Sequence, residues 1–365
     1  MKLYFYGFIV VFLVIASCAN GGKEKDGENI MTCSSNIALY QREGYTEAVI
    51  YNSAGNPVAQ YALVPKEGGG GIDIPDNLDE IKVPVSNLIL DSEVYAGVLE
   101  ELGSVEAIKG MFDSNFATSP SLRGKIEAGI IEDLGNTSSP GLEKIIGLDP
   151  DAILISYFDG MQASNLDGLG VPIIKMLDLQ EPDPLGRAEW IKFIGRLIGK
   201  AEIADSIYNG VEEAYSRMQH TTGKTGSKPK ILSDLMYQGV WYVPGGKSYQ
   251  AQLIQDAGGE YFKKEDPTPV TLNLSSEQVL DEAGDADIWI IRHYGSEEEL
   301  KTILASDPVY RQIKAYKNGQ IYYSDTSTSG LFREFPFHPE RLLKDYKLIF
   351  NSDTTEQPKY FNKLN

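Results

Sequence analysis

The sequence predicts an α/β protein in which two similar lobes are joined by a helical segment. Short apolar runs alternate with helical patterns over residues 81–184, and the same alternation starts again at 223 and continues to 351. Between them, residues 185–222 follow a helical period without proline, and one face carries Trp190, Phe193, Ile194, Leu197 and Ile198. We therefore predict an N-terminal α/β lobe over 81–184, a long helical connector over 185–222 and a C-terminal α/β lobe over 223–351.

The strands of the N-terminal lobe are indicated by short, continuous apolar runs. Residues 152–155 and 171–176 have the pattern of parallel strands buried on both faces. Residues 85–90 predict a further strand, and a helix is predicted to follow it over 93–102. The C-terminal lobe repeats this pattern, with predicted strands at 230–236, 287–291 and 320–323 and predicted helices at 249–258, 275–282, 297–304 and 339–350.

The first 17 residues are predicted to form a signal peptide. An almost wholly apolar run, 3–15, follows Lys2 and is too short to cross a membrane. Small residues then precede Cys18, and this pattern is similar to the lipobox of bacterial lipoproteins. We therefore expect Cys18 to be acylated and to anchor the exported chain to a membrane. An ordinary signal peptide with an incidental cysteine is the alternative.

Three further segments lie outside the two lobes. Residues 18–34 are polar and rich in glycine, which predicts a flexible tether behind the lipid. Residues 35–80 alternate β-branched stretches with turn residues and predict a β-hairpin extension of unassigned role. Residues 352–365 are predicted to form a C-terminal tail. Because Cys18 is expected to be acylated, Cys33 has no cysteine left to pair with, and a buried or incidental thiol is expected there.

The charge and the motifs of the chain exclude several functions. The 365 residues include 33 Lys and Arg against 52 Asp and Glu, a net charge of −19. So acidic a surface repels phosphate backbones, and nucleic acid is not expected as a partner. The chain lacks the GxxxxGK[ST], GxSxG and HExxH motifs, so we expect a binding protein and not an enzyme. An exported hydrolase is the alternative from a different class.

Four segments carry a resemblance to a known family. Residues 140–151 read PGLEKIIGLDPD and residues 274–280 read LSSEQVL. Both are similar to lobe signatures of the substrate-binding proteins that serve ABC importers of iron-siderophores, haem and vitamin B12. Residues 184–190 and 338–345 resemble segments of Bacteroidetes-type lipoprotein members. The resemblance spans about residues 80–350 and leaves out the N-terminal hairpins.

The resemblance implies the fold of a class III periplasmic binding protein. In that fold two Rossmann-like lobes are joined by a long, stiff helix, and the ligand lies between the lobes. The implied partners are an ABC permease, a separate ATPase subunit and a metal-chelate ligand, with no cofactor of the protein's own. We expect a monomer in the periplasm that is lipid-anchored to the cell membrane, at the inner rather than the outer membrane.

The resemblance also implies that each lobe presents one exposed glutamate to arginines of the permease. In the first signature, Pro140 suits the first turn of a helix that Ser139 would cap. Glu143 would then point outward, with its neighbours Leu142, Ile145 and Ile146 turned inward. A carboxylate in that position is suited to bidentate pairing with arginine. An ordinary solvated glutamate is the alternative.

The second signature gives the matching glutamate in the C-terminal lobe. Ser275 or Ser276 would cap a helix that turns Val279 and Leu280 inward. This orientation leaves Glu277 exposed on the outer face. The pair Glu143 and Glu277 is therefore the predicted docking site for the permease.

The candidate ligand site is the set of loops that follow the predicted strands, because ligands of open α/β sheets bind beyond the carboxyl ends of the strands. These loops are rich in aromatic side chains, which suit a large planar or macrocyclic ligand. Two arginines are expected to neutralise an anionic chelate or the carboxylates of haem. For Arg292, pairing with an acidic residue of the protein surface is the alternative. The candidate residues are Tyr95, Phe112, Phe116, Tyr157, Phe158, Tyr237, Trp241, Tyr242, Arg292, Tyr294 and Arg333.

The ligand stays open among three classes, because an aromatic cleft serves each of them. A ferric siderophore is the first expectation, and a corrinoid such as cobalamin or a haem are the alternatives. His293 and Tyr294 are possible ligands of haem iron, against a structural role. A bare metal site is not expected, because the N-terminal lobe contains no histidine. For Trp241, a place in the core is the alternative to a place in the cleft.

Overall fold

The computed structural model describes residues 27–158, 166, 168–220, 227–351 and 355–365. The predicted signal peptide and the predicted lipidation site, Cys18, lie outside the described residues. Parallel sheets flanked by helices form two lobes, which confirms the predicted fold class. Within the described part of the chain, no helix combines the length and the apolar character needed to cross a lipid bilayer.

The N-terminal extension forms a four-stranded sheet. Its first three strands are antiparallel neighbours, so the two predicted hairpins are present, and the fourth strand runs parallel to the third. The predicted boundary between residues 80 and 81 lies inside this fourth strand. The strands are β1 (Ile37–Arg42), β2 (Tyr45–Tyr51), β3 (Pro57–Pro65) and β4 (Asp79–Val83).

The N-terminal lobe contains a five-stranded parallel sheet in the order β11-β10-β5-β6-β7. Its central strands are buried along their length, in agreement with their continuous apolar sequence. The strands are β5 (Leu88–Leu90), β6 (Ile108–Met111), β7 (Glu132–Asp133), β10 (Ala152–Ser156) and β11 (Ile173–Met176), with a small hairpin of β8 (Gly135–Asn136) and β9 (Ser139–Pro140). The helices are α1 (Glu93–Glu101), α2 (Pro120–Glu127) and α3 (Leu142–Gly147).

Tyr61 of β3 attaches the N-terminal sheet to this lobe. Its buried ring stacks on Phe193 with ring centroids 6.5 Å apart. Its hydroxyl donates to the carbonyl oxygen of Ile173 at 3.0 Å and accepts from the backbone N–H of Lys175 at 2.9 Å. Because both partners lie on β11, the sheet shares one core with the lobe and is not a separate module.

The connector consists of three helices instead of one long helix. They are α4 (Pro184–Glu189), α5 (Ile191–Leu197) and α6 (Ala201–Gln219). The chain turns between α5 and α6 at Gly199, which has a φ of 70° that favours glycine. The two helices pack closely at Gly195, where an added Cβ would lie 2.3 Å from that of Ala204. The connector is therefore helical, as predicted, and it is interrupted at Gly199.

Helix α6 joins the two cores. Its residues Ala204, Tyr208 and Val211 are buried in the core of the N-terminal lobe. Tyr215, near its other end, is buried in a core of the C-terminal lobe. Nineteen residues of α-helix span about 28 Å, so α6 crosses from one lobe to the other as a single rigid element.

The C-terminal lobe contains a second five-stranded sheet, in the order β15-β12-β17-β18-β19, and a three-stranded antiparallel sheet, β13-β14-β16. The strands are β12 (Lys230–Ser233), β13 (Met236–Tyr237), β14 (Val240–Pro244), β15 (Glu260–Tyr261), β16 (Thr271–Leu274), β17 (Ile288–His293), β18 (Ile321–Asp325) and β19 (Asn362–Lys363). The helices are α7 (Tyr249–Asp256), α8 (Ser276–Ala283), α9 (Glu297–Ser306), α10 (Lys314–Lys317), α11 (Leu331–Glu334) and α12 (Pro339–Phe350).

The segment predicted as a C-terminal tail contributes to this lobe. Strand β19 pairs antiparallel with β18 at the edge of the main sheet. Tyr360 and Phe361, just before it, are buried in the core under α12. Asp345 of α12 accepts hydrogen bonds from the backbone N–H groups of Lys359 and Tyr360 at 2.8 and 2.6 Å. These contacts fix the end of the chain on the lobe.

The residues that lead into β1 are held by two buried carboxylates of the connector region. The backbone N–H groups of Thr32, Cys33 and Ser34 donate to Glu189 at 2.8–2.9 Å. Those of Ser35 and Asn36 donate to Glu181 at 2.9 Å. We call residues 32–36 the N-terminal strap. The flexible tether predicted for 18–34 is therefore wrong for residues 32–34.

Glu189 remains charged in this setting. Burial opposes its charged form, but hydrogen bonds from Lys192, at 2.7 Å, and from the strap lower the pKa of Glu189 below its usual range. The carboxylate thus compensates a buried cation and three amide groups at the same time. It fixes the strap and the connector to each other.

Replacing Glu189 with alanine is expected to destabilise the fold by about 3 kcal/mol, because it leaves a buried ammonium group and three amides without an acceptor. Urea unfolding followed by tryptophan fluorescence measures the change. Glu213→Ala, at an exposed position of α6, is the matched control and should change stability by less than about 0.5 kcal/mol. Equal midpoints for the two variants would contradict the role of Glu189.

Candidate functional site

Two adjoining cavities open between the lobes, at the carboxyl ends of the parallel strands. The N-lobe cavity, of about 570 Å³, is lined by residues after β5 and β6 and by Arg333 of α11. The C-lobe cavity, of about 640 Å³, is lined by residues after β12 and β17 and by β14. Tyr294 and Phe332 line both cavities, so the two form one cleft across the lobes.

Seven of the predicted cleft residues line these cavities. Phe116 of the N-terminal lobe meets Tyr294 of the C-terminal lobe edge to face, with ring centroids 5.9 Å apart. Both rings are more than half exposed, which is uncommon for large aromatic side chains without a partner to cover them. The seven residues are Phe112, Phe116, Tyr237, Tyr242, Arg292, Tyr294 and Arg333.

Four predicted cleft residues lie elsewhere. Tyr95 is buried beneath α1, where its hydroxyl donates to Asp178 at 2.8 Å. Trp241 is fully buried between Trp289 and Tyr310, because β13 and β14 form a hairpin where an open loop was expected. Tyr157 is partly buried under Lys175, whose amine lies 4.8 Å from its ring centroid, and Phe158 is exposed without lining either cavity.

Both predicted arginines line the cleft, and both are paired with carboxylates of the protein. Arg292 forms a two-point ion pair with Asp234, and its remaining nitrogen donates to Gln250. Burial opposes the charge, but Asp234 raises the pKa of the Arg292 guanidinium. Arg333 lies 3.6 Å from Glu100 and 3.5 Å from Glu334. Both positive charges are therefore balanced by carboxylates of the protein.

Three carboxylates of the N-lobe cavity were not singled out from the sequence. Asp91, Glu93 and Asp113 follow β5 and β6 directly, and acidic residues after buried strands are the signal that could have identified them. Asp91 accepts hydrogen bonds from the backbone N–H and the hydroxyl of Ser156 at 2.6 and 3.1 Å. Burial nevertheless raises the pKa of Asp91 to about 7.

A buried ion pair lies directly behind the cleft, where the connector leaves the N-terminal lobe. The Nε of Arg187, on α4, donates to Asp178 Oδ2 at 3.0 Å, and its Nη2 lies 3.0 Å from the same oxygen. Its third nitrogen donates to the hydroxyl of Tyr249 on α7 at 2.6 Å. The guanidinium also lies over the rings of Tyr249 and Phe335, at 4.7 and 5.6 Å. We call Asp178, Arg187 and Tyr249 the lobe joint.

Hydrogen bonds connect the lobe joint to the walls of both cavities. On the C-lobe side, Gln250 donates to the Tyr249 hydroxyl at 2.9 Å and accepts from Arg292, which pairs with Asp234. On the N-lobe side, Tyr95 links Asp178 to Ser156 and so to Asp91. An unbroken series of polar contacts therefore connects the walls of the two cavities.

The glutamate of the first signature is exposed, but its helix differs from the prediction. Gly141 caps α3 without a side-chain hydrogen bond, because Ser139 and Pro140 belong to β9. Only Ile145 faces the core, whereas Leu142 and Ile146 are exposed beside Glu143. The glutamate therefore stands in an apolar patch on the surface.

The glutamate of the second signature lies as expected. Ser275 caps α8 through a capping box with Gln278, Val279 is buried, and Glu277 is exposed in the first turn. Hydrogen bonds from its own backbone N–H and from Ser275 lower the pKa of Glu277. The glutamate of each signature is thus exposed in the first turn of a helix.

His293 lines the C-lobe cavity, but its Nε2 is buried without a hydrogen-bond partner in the described structure. Among the residues that the structure describes, no group of three His, Cys, Asp or Glu side chains is arranged to hold a metal ion. His293 and Tyr294, the candidate ligands of haem iron, therefore belong to no such group among the described residues.

His338 links the two lobes on the outer side of the cleft. Its Nε2 lies 2.7 Å from Glu101 of α1 and its Nδ1 lies 3.0 Å from Glu340 of α12. Burial opposes the charged imidazolium, but the hydrogen bonds to these carboxylates raise the pKa of His338 to about 9. The charged ring therefore bridges an acid from each lobe.

Because the pKa of His338 is raised on folding, its contribution to stability is complete below about pH 6.5 and is lost as the pH rises through 9. His338→Gln is therefore expected to lower the free energy of unfolding by about 1–3 kcal/mol at pH 6 and by much less at pH 10. Urea unfolding at the two pH values measures this difference. His220→Gln, at the exposed end of α6, should keep the wild-type pH dependence; a pH-independent effect of His338→Gln would contradict the assignment.

The model of the periplasmic binding protein family matches residues 92–328, which is more than half of the chain. An uncharacterized lipoprotein of Methanocaldococcus jannaschii is 29% identical over 258 residues, 68% of this chain and 61% of the relative, so the chain spans less than two thirds of that relative. The high-affinity heme uptake system protein IsdE of Staphylococcus aureus is 23% identical over 202 residues, 53% of this chain and 65% of IsdE.

Solved structures show the same fold. A periplasmic heme-binding protein from Pseudomonas aeruginosa has a TM-score of 0.60 at 14% identity, covering 77% of this chain and 98% of that one. The triscatecholate siderophore-binding protein FeuA of Bacillus subtilis, complexed with ferri-bacillibactin, has a TM-score of 0.55 at 17% identity, covering 76% and 99%. Since the family model spans the connector and most of both lobes, the chain belongs to the periplasmic binding protein family.

Proposed function

We propose that this protein captures a metal chelate between its lobes and delivers it to an ABC importer. The observation that carries the proposal is the cleft, in which two cavities meet at exposed aromatic side chains from both lobes. Flat apolar walls of this size suit a bulky chelate better than a bare ion. A ferric siderophore is the proposed ligand, with a corrinoid or haem as the alternatives.

The relatives support a chelate as the ligand. The similar structures include a heme-binding protein and a siderophore-binding protein in complex with ferri-bacillibactin. The curated relative from Staphylococcus aureus is named as part of a heme uptake system. On this basis we propose uptake of iron in chelated form, with binding and release of the ligand and no chemical turnover.

The connector favours capture by a small movement of the lobes. Helix α6 spans both cores, and the lobe joint ties the connector to α7. A packed helical joint permits only small-angle closure, in contrast to hinges made of flexible strands. The ligand would then close the cleft slightly, and a separate ATPase subunit would supply the energy for transport.

The proposed location is the periplasmic face of the cell membrane, with a lipid on Cys18 as the anchor. The sequence before Cys18 supports this location, and two archaeal relatives are named lipoproteins. The inner membrane is proposed because the permease would lie there. The protein would work there as a monomer.

Glu143 and Glu277 are proposed to dock on arginines of the permease. Charge reversal, Glu143→Lys or Glu277→Lys, is expected to abolish chelate uptake by cells, because each change places a lysine against an arginine. The affinity of the purified variants for the chelate should stay within about twofold of wild type, since neither residue lines the cleft.

Glu213→Lys provides the matched control, because it reverses an equally exposed charge on the connector. Uptake by this variant should equal that of wild type. Normal uptake by both Glu143→Lys and Glu277→Lys would contradict docking through these residues, and weakened chelate binding would contradict their separation from the ligand site.

A further inference from the structure

The cleft offers no unpaired cation among the residues that the structure describes. Arg292 and Arg333 are the only Lys or Arg side chains that line the two described cavities. Arg292 is paired with Asp234, and Arg333 lies between Glu100 and Glu334.

Three carboxylates of the cleft, in contrast, have no cationic partner in the described structure. Asp91 accepts from Ser156 and from its own backbone N–H, and Glu93 accepts from Thr118 and Ser119. Asp113 forms no ion pair and lines the same N-lobe cavity. Asp91 is only partly ionised near pH 7, but Glu93, Asp113 and Asp234 already outnumber the two guanidinium groups, so the lining of the cleft is negative overall.

The remaining surface of the cleft is apolar and aromatic. Phe116, Tyr237, Tyr242, Tyr294 and Phe332 are all at least two-fifths exposed. A ligand that covers these rings gains from the burial of apolar area and needs no charge to do so. The carboxylates therefore determine which net charge of the ligand the cleft favours, and the aromatic side chains supply the affinity.

We infer that the cleft selects metal chelates of zero or positive net charge with apolar bulk, and that ferric tris-hydroxamates fit it better than ferric tris-catecholates. The inference rests on the proposed function and narrows its ligand class. Three hydroxamate anions balance the charge of a ferric ion, whereas three catecholate dianions leave a surplus of negative charge. That surplus would be enclosed beside carboxylates without a counter-charge, which is strongly unfavourable.

The test is isothermal titration calorimetry of the protein from residue 19 onward with chelates of different charge. Ferrioxamine B is the cationic probe, ferrichrome and cyanocobalamin are neutral probes, and haemin and ferric enterobactin are anionic probes. We expect at least one cationic or neutral chelate to bind about tenfold or more tightly than either anion. Added salt should weaken binding of the cationic probe more than that of the neutral ones.

Asp113→Asn isolates the contribution of charge. Asp113 has a φ of 49°, a conformation that asparagine also adopts readily, so the variant should fold normally. Its affinity for ferrioxamine B should fall about three- to tenfold, while its affinity for ferrichrome should stay within about twofold. Glu106→Gln, which removes an exposed charge of the same lobe outside the cleft, should leave both affinities unchanged.

The outcomes separate the inference from the proposed function. Preferred binding of a cationic or neutral chelate supports both. Tighter binding of ferric enterobactin or haemin than of all the other probes overturns the charge inference and leaves chelate capture standing. Failure of every chelate to bind overturns the proposed function, and the inference with it.

Discussion

The buried ion pair between Arg187 and Asp178 is the interaction on which the arrangement of the two lobes depends. Arg187 is almost completely enclosed, and each of its side-chain nitrogens contacts Asp178 or Tyr249. One partner belongs to the N-terminal lobe and the other to the C-terminal lobe. A buried guanidinium tolerates little displacement of its partners, because any lost hydrogen bond leaves a charge unpaired at low dielectric. The relative position of the lobes is therefore specified more sharply than apolar packing alone would specify it.

The same region also fixes the N-terminal part of the chain and the walls of the cleft. Glu181 and Glu189, on either side of Arg187 in the sequence, hold the N-terminal strap. Polar contacts run from the lobe joint through Tyr95 to Asp91, and through Gln250 to Arg292. A single short stretch of sequence, around α4, thus organises the extension, the hinge and the ligand site. This placement explains why a four-stranded sheet of unassigned function shares the core of the N-terminal lobe.

Local patterns in the sequence were sufficient to predict the strands and helices of the two lobes. They were not sufficient to predict contacts between residues that are far apart in the sequence. The continuous apolar runs of β10 and β11 and the Ser275 cap of α8 follow from neighbouring residues, and they could be predicted. Arg292 was expected to face a ligand because its partner, Asp234, is 58 positions away in sequence. Residues 32–34 of the strap were expected to be flexible because their acceptor, Glu189, lies about 155 positions away in sequence. Trp241 was placed in the cleft because the Gln238–Gly239 turn of a hairpin was interpreted as an open loop.

The claim that the lobe joint fixes the relative position of the two lobes is tested most directly by measuring the distance between the lobes in solution. Spin labels at Glu143→Cys and Glu277→Cys, in a Cys33→Ser background and in the protein from residue 19 onward, report that distance by pulsed electron paramagnetic resonance. We predict a single narrow distribution without ligand, a shift of less than about 5 Å with bound chelate, and a clearly broader distribution in Arg187→Met. A broad or two-state distribution in the otherwise unaltered protein, or one that Arg187→Met leaves unchanged, would contradict the account.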